Sequence, residues 1–264
     1  MGYASLSGQD SHLQDRVLQG GYPESVSRST PRRRHAWIRQ YIDTLIARDV
    51  RDIASLDKLD RLPRLINVLA QVAGQLCNYS QLAGQVGMDH KTAGKYLSVF
   101  EQMYLLQRLP VWSNNRLSRL VKTPKMQFVD SGLLSTLLEV GEVSTPRHRA
   151  MFGRLLESFV FSELLKQNTW SERRYALFFY RDKDQNEIDF ILENSAGEII
   201  GIEVKASESL GKNDLVGLRR LAGLAPDEFK AGFILYDGQE TLPLGAGIWA
   251  VPLSTLWNCS FRPA

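Results

Sequence analysis

The chain has 264 residues, 44% of them hydrophobic and 23% charged, with a formal net charge of +3. The length suits about two domains, and the composition excludes a low-complexity or fibrous chain. The mild charge means that any nucleic-acid surface must come from local clustering.

Residues 1–30 read as polar, with GGYPES at 20–25 as a turn. A helix is expected after Pro31, because Trp37, Ile38, Tyr41, Ile42, Leu45 and Ile46 recur at helical spacing. Arg32, Arg33 and Arg34 fall in its first turn, the unfavourable end for the helix dipole. They read as a solvated basic turn more readily than as phosphate contacts. A second helix is expected over 62–76, then a short one over 81–86 capped by Ser80. Gly87 and Met88 form a tight turn, and Asp89 caps a longer helix over 90–103 with Ala93, Tyr96, Leu97 and Phe100 inward. Strands over 105–112 and 126–129 follow, separated by a turn at Ser113, Asn114 and Asn115.

Helix, short helix, tight turn, longer helix and hairpin is the order of a winged helix-turn-helix. In that reading His90, Lys91 and Lys95 lie on the polar side of the recognition helix. The stretch after it carries Arg108, Arg116, Arg119, Lys122 and Lys125 with no acidic residue from 105 to 125, a basic wing suited to phosphates. Small three-helix units with a hairpin also dock proteins, so DNA contact and docking both stand at this point.

After a linker over 141–148, a helix is expected over 150–167 and strands over 175–180, 187–192 and 199–205. A helix over 213–224 and strands over 232–236 and 248–251 complete an α-β-β-β-α-β order with a final strand. The turn Ser195, Ala196, Gly197 suits a three-residue hairpin with glycine in the left-handed position. That turn sets Asp189 opposite Glu203 and Glu187 opposite Lys205, with Ile188, Phe190, Ile202 and Val204 on the other face. Cross-strand ion pairing accounts for Glu187 with Lys205. It does not account for two facing carboxylates, whereas Mg²⁺ or Mn²⁺ between Asp189 and Glu203 does. Lys205 is then placed to orient water or stabilise phosphate charge. Glu157, in the otherwise apolar GRLLESFVFSELL, requires a cation or donor partner if it is buried.

Other chemistries find no support. Cys77 and Cys259 lie far apart without a CxxC, and His12, His35, His90 and His148 show no ligand spacing, so neither a disulfide framework nor a zinc site is expected. GQVGMDHKT lacks the glycine before Lys91 that a phosphate-binding loop requires, so ATP hydrolysis is not expected. No apolar run nears the roughly 20 residues of a membrane span, and the first residues carry no signal-peptide core. A cytoplasmic protein without a membrane partner is expected.

Asp189 in NEIDFIL, Glu203 and Lys205 in GIEVKAS, and Glu157 on the preceding helix resemble the PD-(D/E)XK nuclease superfamily, with Ile188 where a proline often stands. The resemblance implies that the acidic residues bind the metal and the lysine assists phosphodiester hydrolysis. GGYPES, WIRQYIDTLIARDV, KMQFVDSGLL, FGRLLESFVFSELL, FYRDKDQNEIDFIL and GIEVKAS, in this order, resemble domain of unknown function 4143, the C-terminal region of prokaryotic AAA-type ATPases. Three parts follow: 1–58, a helical remnant of an ATPase lid region; 59–140, the winged helix-turn-helix; and 146–264, the nuclease-like domain. The ATPase module itself is expected to be missing. The leading expectation is DNA binding through His90, Lys91, Lys95, Arg116, Arg119 and Lys122, with metal-dependent hydrolysis at Asp189, Glu203, Glu157 and Lys205. The alternative is a non-catalytic module that docks on a separate ATPase or another protein.

Overall fold

The structure, a computed structural model, describes residues 9–53, 59–115, 119, 123–143 and 145–258. Arg116, Lys122 and Cys259 lie outside the described residues.

The N-terminal half is helical: α1 (Gln9–Gln19), α2 (Pro23–Val26), α3 (Pro31–Ile53), α4 (Leu62–Gln71), α5 (Tyr79–Gln85) and α6 (His90–Gln102). A two-stranded antiparallel sheet of β1 (Leu106–Leu109) and β2 (Lys125–Phe128) follows, then α7 (Ser131–Leu137). The local chemistry of α6 is as expected. Gly87 turns the chain at φ +67, and the Asp89 carboxylate accepts from the amides of Lys91 and Thr92, each at 3.0 Å. Ala93, Tyr96, Leu97 and Phe100 are buried. Asn78, not Ser80, caps α5, its Oδ1 accepting from the Gln81 amide at 3.2 Å. The α4 helix stops at Gln71, short of the expected 76. Gly74 just beyond adopts φ +73, which no helix can continue through.

The helices α1 and α7 are departures from expectation. Polar residues dominate α1, yet Leu13, Val17 and Leu18 are buried. In α7, Ser, Gly and Thr give no periodic signal, because every residue from Ser131 to Thr136 is buried. Asp130 caps it by accepting from the Leu133 amide at 2.8 Å.

The C-terminal half is mixed α/β. The long α8 (Pro146–Trp170) leads into β3 (Tyr175–Arg181), β4 (Glu187–Asn194), β5 (Ile199–Lys205), α9 (Val216–Leu224), β6 (Phe229–Tyr236), β7 (Leu242–Gly245) and β8 (Ile248–Pro252). The short β7 was not expected. The sheet order is β3-β4-β5-β6-β8-β7, with β5, β6 and β8 parallel and the other neighbours antiparallel. One face packs on α8, where Phe161 and Phe190 stack with ring centroids 6.1 Å apart. The other packs on α9: a Cβ at Gly201 would lie 2.6 Å from Leu218, so only glycine lets the helix approach this closely.

The two halves share one core, which runs from Leu13 and Ile38 through Phe100 and Phe128 to Phe161, Phe190 and Leu253. A backbone join adds to it. Val111 bridges Phe179 on the edge strand β3, with Phe179 N–H donating to Pro110 O at 3.0 Å and Trp112 N–H to Phe179 O at 2.6 Å. Among the described residues, no helix is long and apolar enough to cross a membrane.

Candidate functional site

The β4–β5 hairpin has the register read from its turn: Phe190 faces Ile202, Ile191 faces Gly201 and Glu193 faces Ile199. Gly197 sits at φ +83, and Asn194 closes the loop with Glu198 at 3.0 Å. Past Phe190 the ladder changes. The Val204 amide donates to Asp189 Oδ2 at 2.8 Å, so a side chain stands where a strand carbonyl would. A bulge on the other edge accompanies this. Between the pairs Phe178–Ile191 and Tyr180–Ile188, β3 has one residue, Phe179, and β4 has two, Asp189 and Phe190.

That extra residue changes the faces of β4. Ile188 joins Ile191, Leu218 and Leu221 in the cluster under α9, while Phe190 and Ile202 pack in the main core. The expected single apolar face of Ile188, Phe190, Ile202 and Val204 is therefore split. Glu187 is likewise paired with Lys125 of β2 and, at 3.5 Å, with Arg181, rather than with Lys205. Lys205 instead lies 3.5 Å from Asp214, in the turn before α9.

Glu203 and Lys205 lie on the α9 face of β5, two residues apart. Glu203 is 8% exposed, and its Oε1 would lie 3.2 Å from a Cβ at Gly217, so glycine at the start of α9 makes room for the carboxylate. Its side chain meets that of Asp189. Burial, then the neighbouring Asp189 charge, pushes its pKa up to about 10. For Lys205, burial favours the neutral amine. Glu203, Asp189 and Asp214 outweigh it and hold the ammonium above its ordinary pKa.

Glu157 approaches Asp189 from α8. Its Oε1 accepts from Gln127 Nε2 at 2.6 Å and lies 3.5 Å from Lys125 Nζ. Gly74 stands against the same carboxylate, where a Cβ would come within 3.1 Å of Oε2. Burial, then the Asp189 charge, lifts its pKa to about 7, against the pull of Lys125. Lys125 is 2% exposed and also lies over the Phe179 ring, 5.3 Å from its centroid. Burial alone would lower its pKa, but Glu157, Asp189 and Glu187 raise it above the ordinary value.

Glu157, Asp189, Glu203 and Lys205 are thus brought together, with Asp189 electrostatically coupled to the other three. The donor set fits a hard divalent cation: two carboxylates in contact, and among the described residues no ion pair reaching either Asp189 or Glu203. Among the described residues, no group of three or more His, Cys, Asp or Glu is arranged to hold a metal ion. A site here would rest on two carboxylates with water or substrate oxygens, as Mg²⁺ commonly accepts.

The expected DNA-contacting residues divide. His90, Lys91 and Lys95 are exposed on α6. Arg119 is not on a phosphate-facing surface: its guanidinium pairs with buried Glu193 at 2.7 Å, donates to Ser113 O at 2.7 Å and lies 4.8 Å from the Phe178 ring centroid. Trp112 Nε1 donates to the same carboxylate at 2.8 Å. Arg108 pairs with Glu101 at 3.2 Å, and Lys125 is buried. The described cations of the expected wing therefore turn inward or to neighbouring carboxylates. Sequence reasoning counted Lys125 as basic surface and missed Gln127, which shares the Glu157 carboxylate with it. The available signal was two polar residues, alternating with Met126 and Phe128, in a strand buried on both sides.

A model described as a domain of unknown function, DUF4143, matches residues 152–256, and a second, DUF8612, matches residues 10–144. The uncharacterized proteins Mb2031c of Mycobacterium bovis and Rv2008c of Mycobacterium tuberculosis are each 28% identical over 243 residues, 89% of this chain and 51% of theirs. The chain therefore spans about half the length of the curated relatives it matches. No solved structure matches it. With about half of its length under the first of its two domains, this chain belongs to the family of the domain of unknown function DUF8612, joined here to a DUF4143 region.

Proposed function

We propose that this is a cytoplasmic DNA-binding protein. Its C-terminal half is a PD-(D/E)XK-like domain for Mg²⁺- or Mn²⁺-dependent phosphodiester hydrolysis, and its α4–β2 segment is a winged helix-turn-helix. The observation that carries this reading is the contact between the Asp189 and Glu203 carboxylates beside Lys205, with no described ion pair on either acid. Asp189 and Glu203 would hold the cation, which supplies Lewis acidity and a nucleophilic water at neutral pH. Lys205 projects from the same face of β5 as Glu203 and is held as ammonium by its neighbours. There it stabilises charge that builds on a phosphate in the transition state. Asp214 fixes the lysine's position from the far side. His90, Lys91 and Lys95 on α6 would meet the duplex backbone.

A second reading has its own support. Lys125, Arg119 and Arg108 are engaged within the molecule, which leaves little described cationic surface on the hairpin. This favours a non-catalytic module that docks on a separate AAA-type ATPase or another protein. Calorimetric titration with Mg²⁺ and Mn²⁺, with cleavage assays on supercoiled, linear and branched DNA, separates the two. The nuclease reading expects metal binding and cleavage that both fall in Glu203→Gln. A wild-type chain that binds neither ion and cuts nothing leaves the docking module.

A further inference from the structure

We infer that the Lys125 ammonium occupies the place of a second cation in the carboxylate cluster, so that the site takes one divalent ion, between Asp189 and Glu203. The inference rests on the metal-binding reading above and concerns how many cations that site accepts.

Lys125 comes from the N-terminal half. It opens β2, opposite Leu109, and also bridges to Leu76. Its side chain crosses to the C-terminal half, where it pairs with Glu187 of β4 and with Glu157 of α8. At 2% exposure the ammonium has almost no water, so these carboxylates supply its stabilisation. The Glu157 carboxylate is matched to this partner. Gln127, two residues along the same strand, donates to the same Oε1 at 2.6 Å and is itself held by Ser158 at 3.3 Å. On the other oxygen, Gly74 leaves no side chain in the way.

Glu157 and Glu187 thus share a fixed monovalent cation, whose charge also reaches Asp189. Asp189 and Glu203 meet each other, and no described cation is directly paired with either. A divalent ion at Glu157 would stand next to a buried ammonium, and like charges repel strongly where water is scarce. At Glu203 the nearest ammonium, Lys205, is 31% exposed and drawn toward Asp214, leaving the two carboxylates open to an ion. Glu157 then serves the cluster as the counter-ion of Lys125 and not as a metal ligand.

The test is the stoichiometry and affinity of Mn²⁺ binding to the full chain by calorimetry. Wild type should bind one equivalent. Glu157→Gln should keep that equivalent with affinity changed by less than about tenfold, the lower end of outer-sphere effects, while Glu203→Gln weakens it by more than about 100-fold. Lys125→Met keeps an unbranched apolar side chain and removes the charge that lies over Phe179; it should gain a second equivalent, which the double variant Lys125→Met/Glu157→Gln should lose again. Two equivalents in wild type, a loss of more than about 100-fold in Glu157→Gln, or a single equivalent in folded Lys125→Met each overturn the inference and leave the metal-binding reading intact. No binding in wild type overturns both. If Lys125→Met fails to fold, wild type and Glu157→Gln alone decide.

Discussion

The Val204 amide of β5 donates to Asp189 Oδ2 across 2.8 Å, so the residue that would hold a metal also completes the sheet ladder. Two variants separate these roles. Asp189→Asn keeps an oxygen acceptor and should cost little stability, whereas Asp189→Ala leaves a half-buried amide unmatched and should cost about 1 kcal/mol. Both should lose Mn²⁺ affinity. Urea unfolding beside calorimetry checks this, and equal stability loss in the two would show that the amide bond contributes nothing.

Lys205→Ala removes cationic assistance and a charge that repels the metal. Metal binding should persist or tighten while DNA cleavage falls by about 10²–10³-fold, the scale for losing one electrostatic stabiliser. Melting should shift only slightly, because the Asp214 pair is partly exposed. Loss of stability with no effect on metal binding or cleavage would reduce Lys205 to a structural ion pair.

Metal-free stability should fall as pH rises. The folded-state pKa values of Glu157 and Glu203, about 7 and about 10, exceed the ordinary 4.5. The folded chain thus keeps protons that the unfolded chain has released. The stabilisation is full below about pH 4.5 and is lost as pH climbs through 7 for Glu157 and 10 for Glu203. Melting temperatures in chelator from about pH 5 to 9 should decline, and saturating Mn²⁺ should flatten the decline by replacing the Glu203 proton. A flat profile in chelator counts against the protonated pair.

Arg119 and Lys91 should behave in opposite ways. Arg119→Ala leaves Glu193, 9% exposed, with the Trp112 bond but without its cation, and should cost about 3 kcal/mol, the lower end for breaking a buried pair. Lys91→Ala should leave melting unchanged, weaken duplex binding and lower the salt slope by about one unit. Unaltered DNA affinity in Lys91→Ala would favour a docking role for α6.

The hairpin register was legible from Glu193–Ile199 to Phe190–Ile202 because a three-residue turn with glycine last fixes those pairs, and the Asp89 cap was legible because it acts within three residues. What escaped was non-local. The bulge at Asp189 and Phe190 depends on Phe179, whose backbone is bonded to Pro110 and Trp112, so nothing within β4 announces it. It sends Glu187 to Lys125 instead of Lys205. Lys125 and Glu157 are brought together only by packing of the two halves. Helix α7 was missed because burial on all sides erases the amphipathic period on which sequence reading depends.

The seam at Val111–Phe179 bears on how such chains can be recombined. Domain exchange works best where few contacts cross a boundary, and here a backbone bridge, the Trp112–Glu193 bond and the Lys125 ion pairs all cross it. Grafting residues 146–258 onto another partner would uncover the unpaired groups of edge strand β3, a template for strand-to-strand association. It would also leave Glu157 and Glu187 without their lysine. A chimera that keeps this half soluble must therefore bring a strand for Phe179 and a cation for Glu157, or inherit both from residues 110–125.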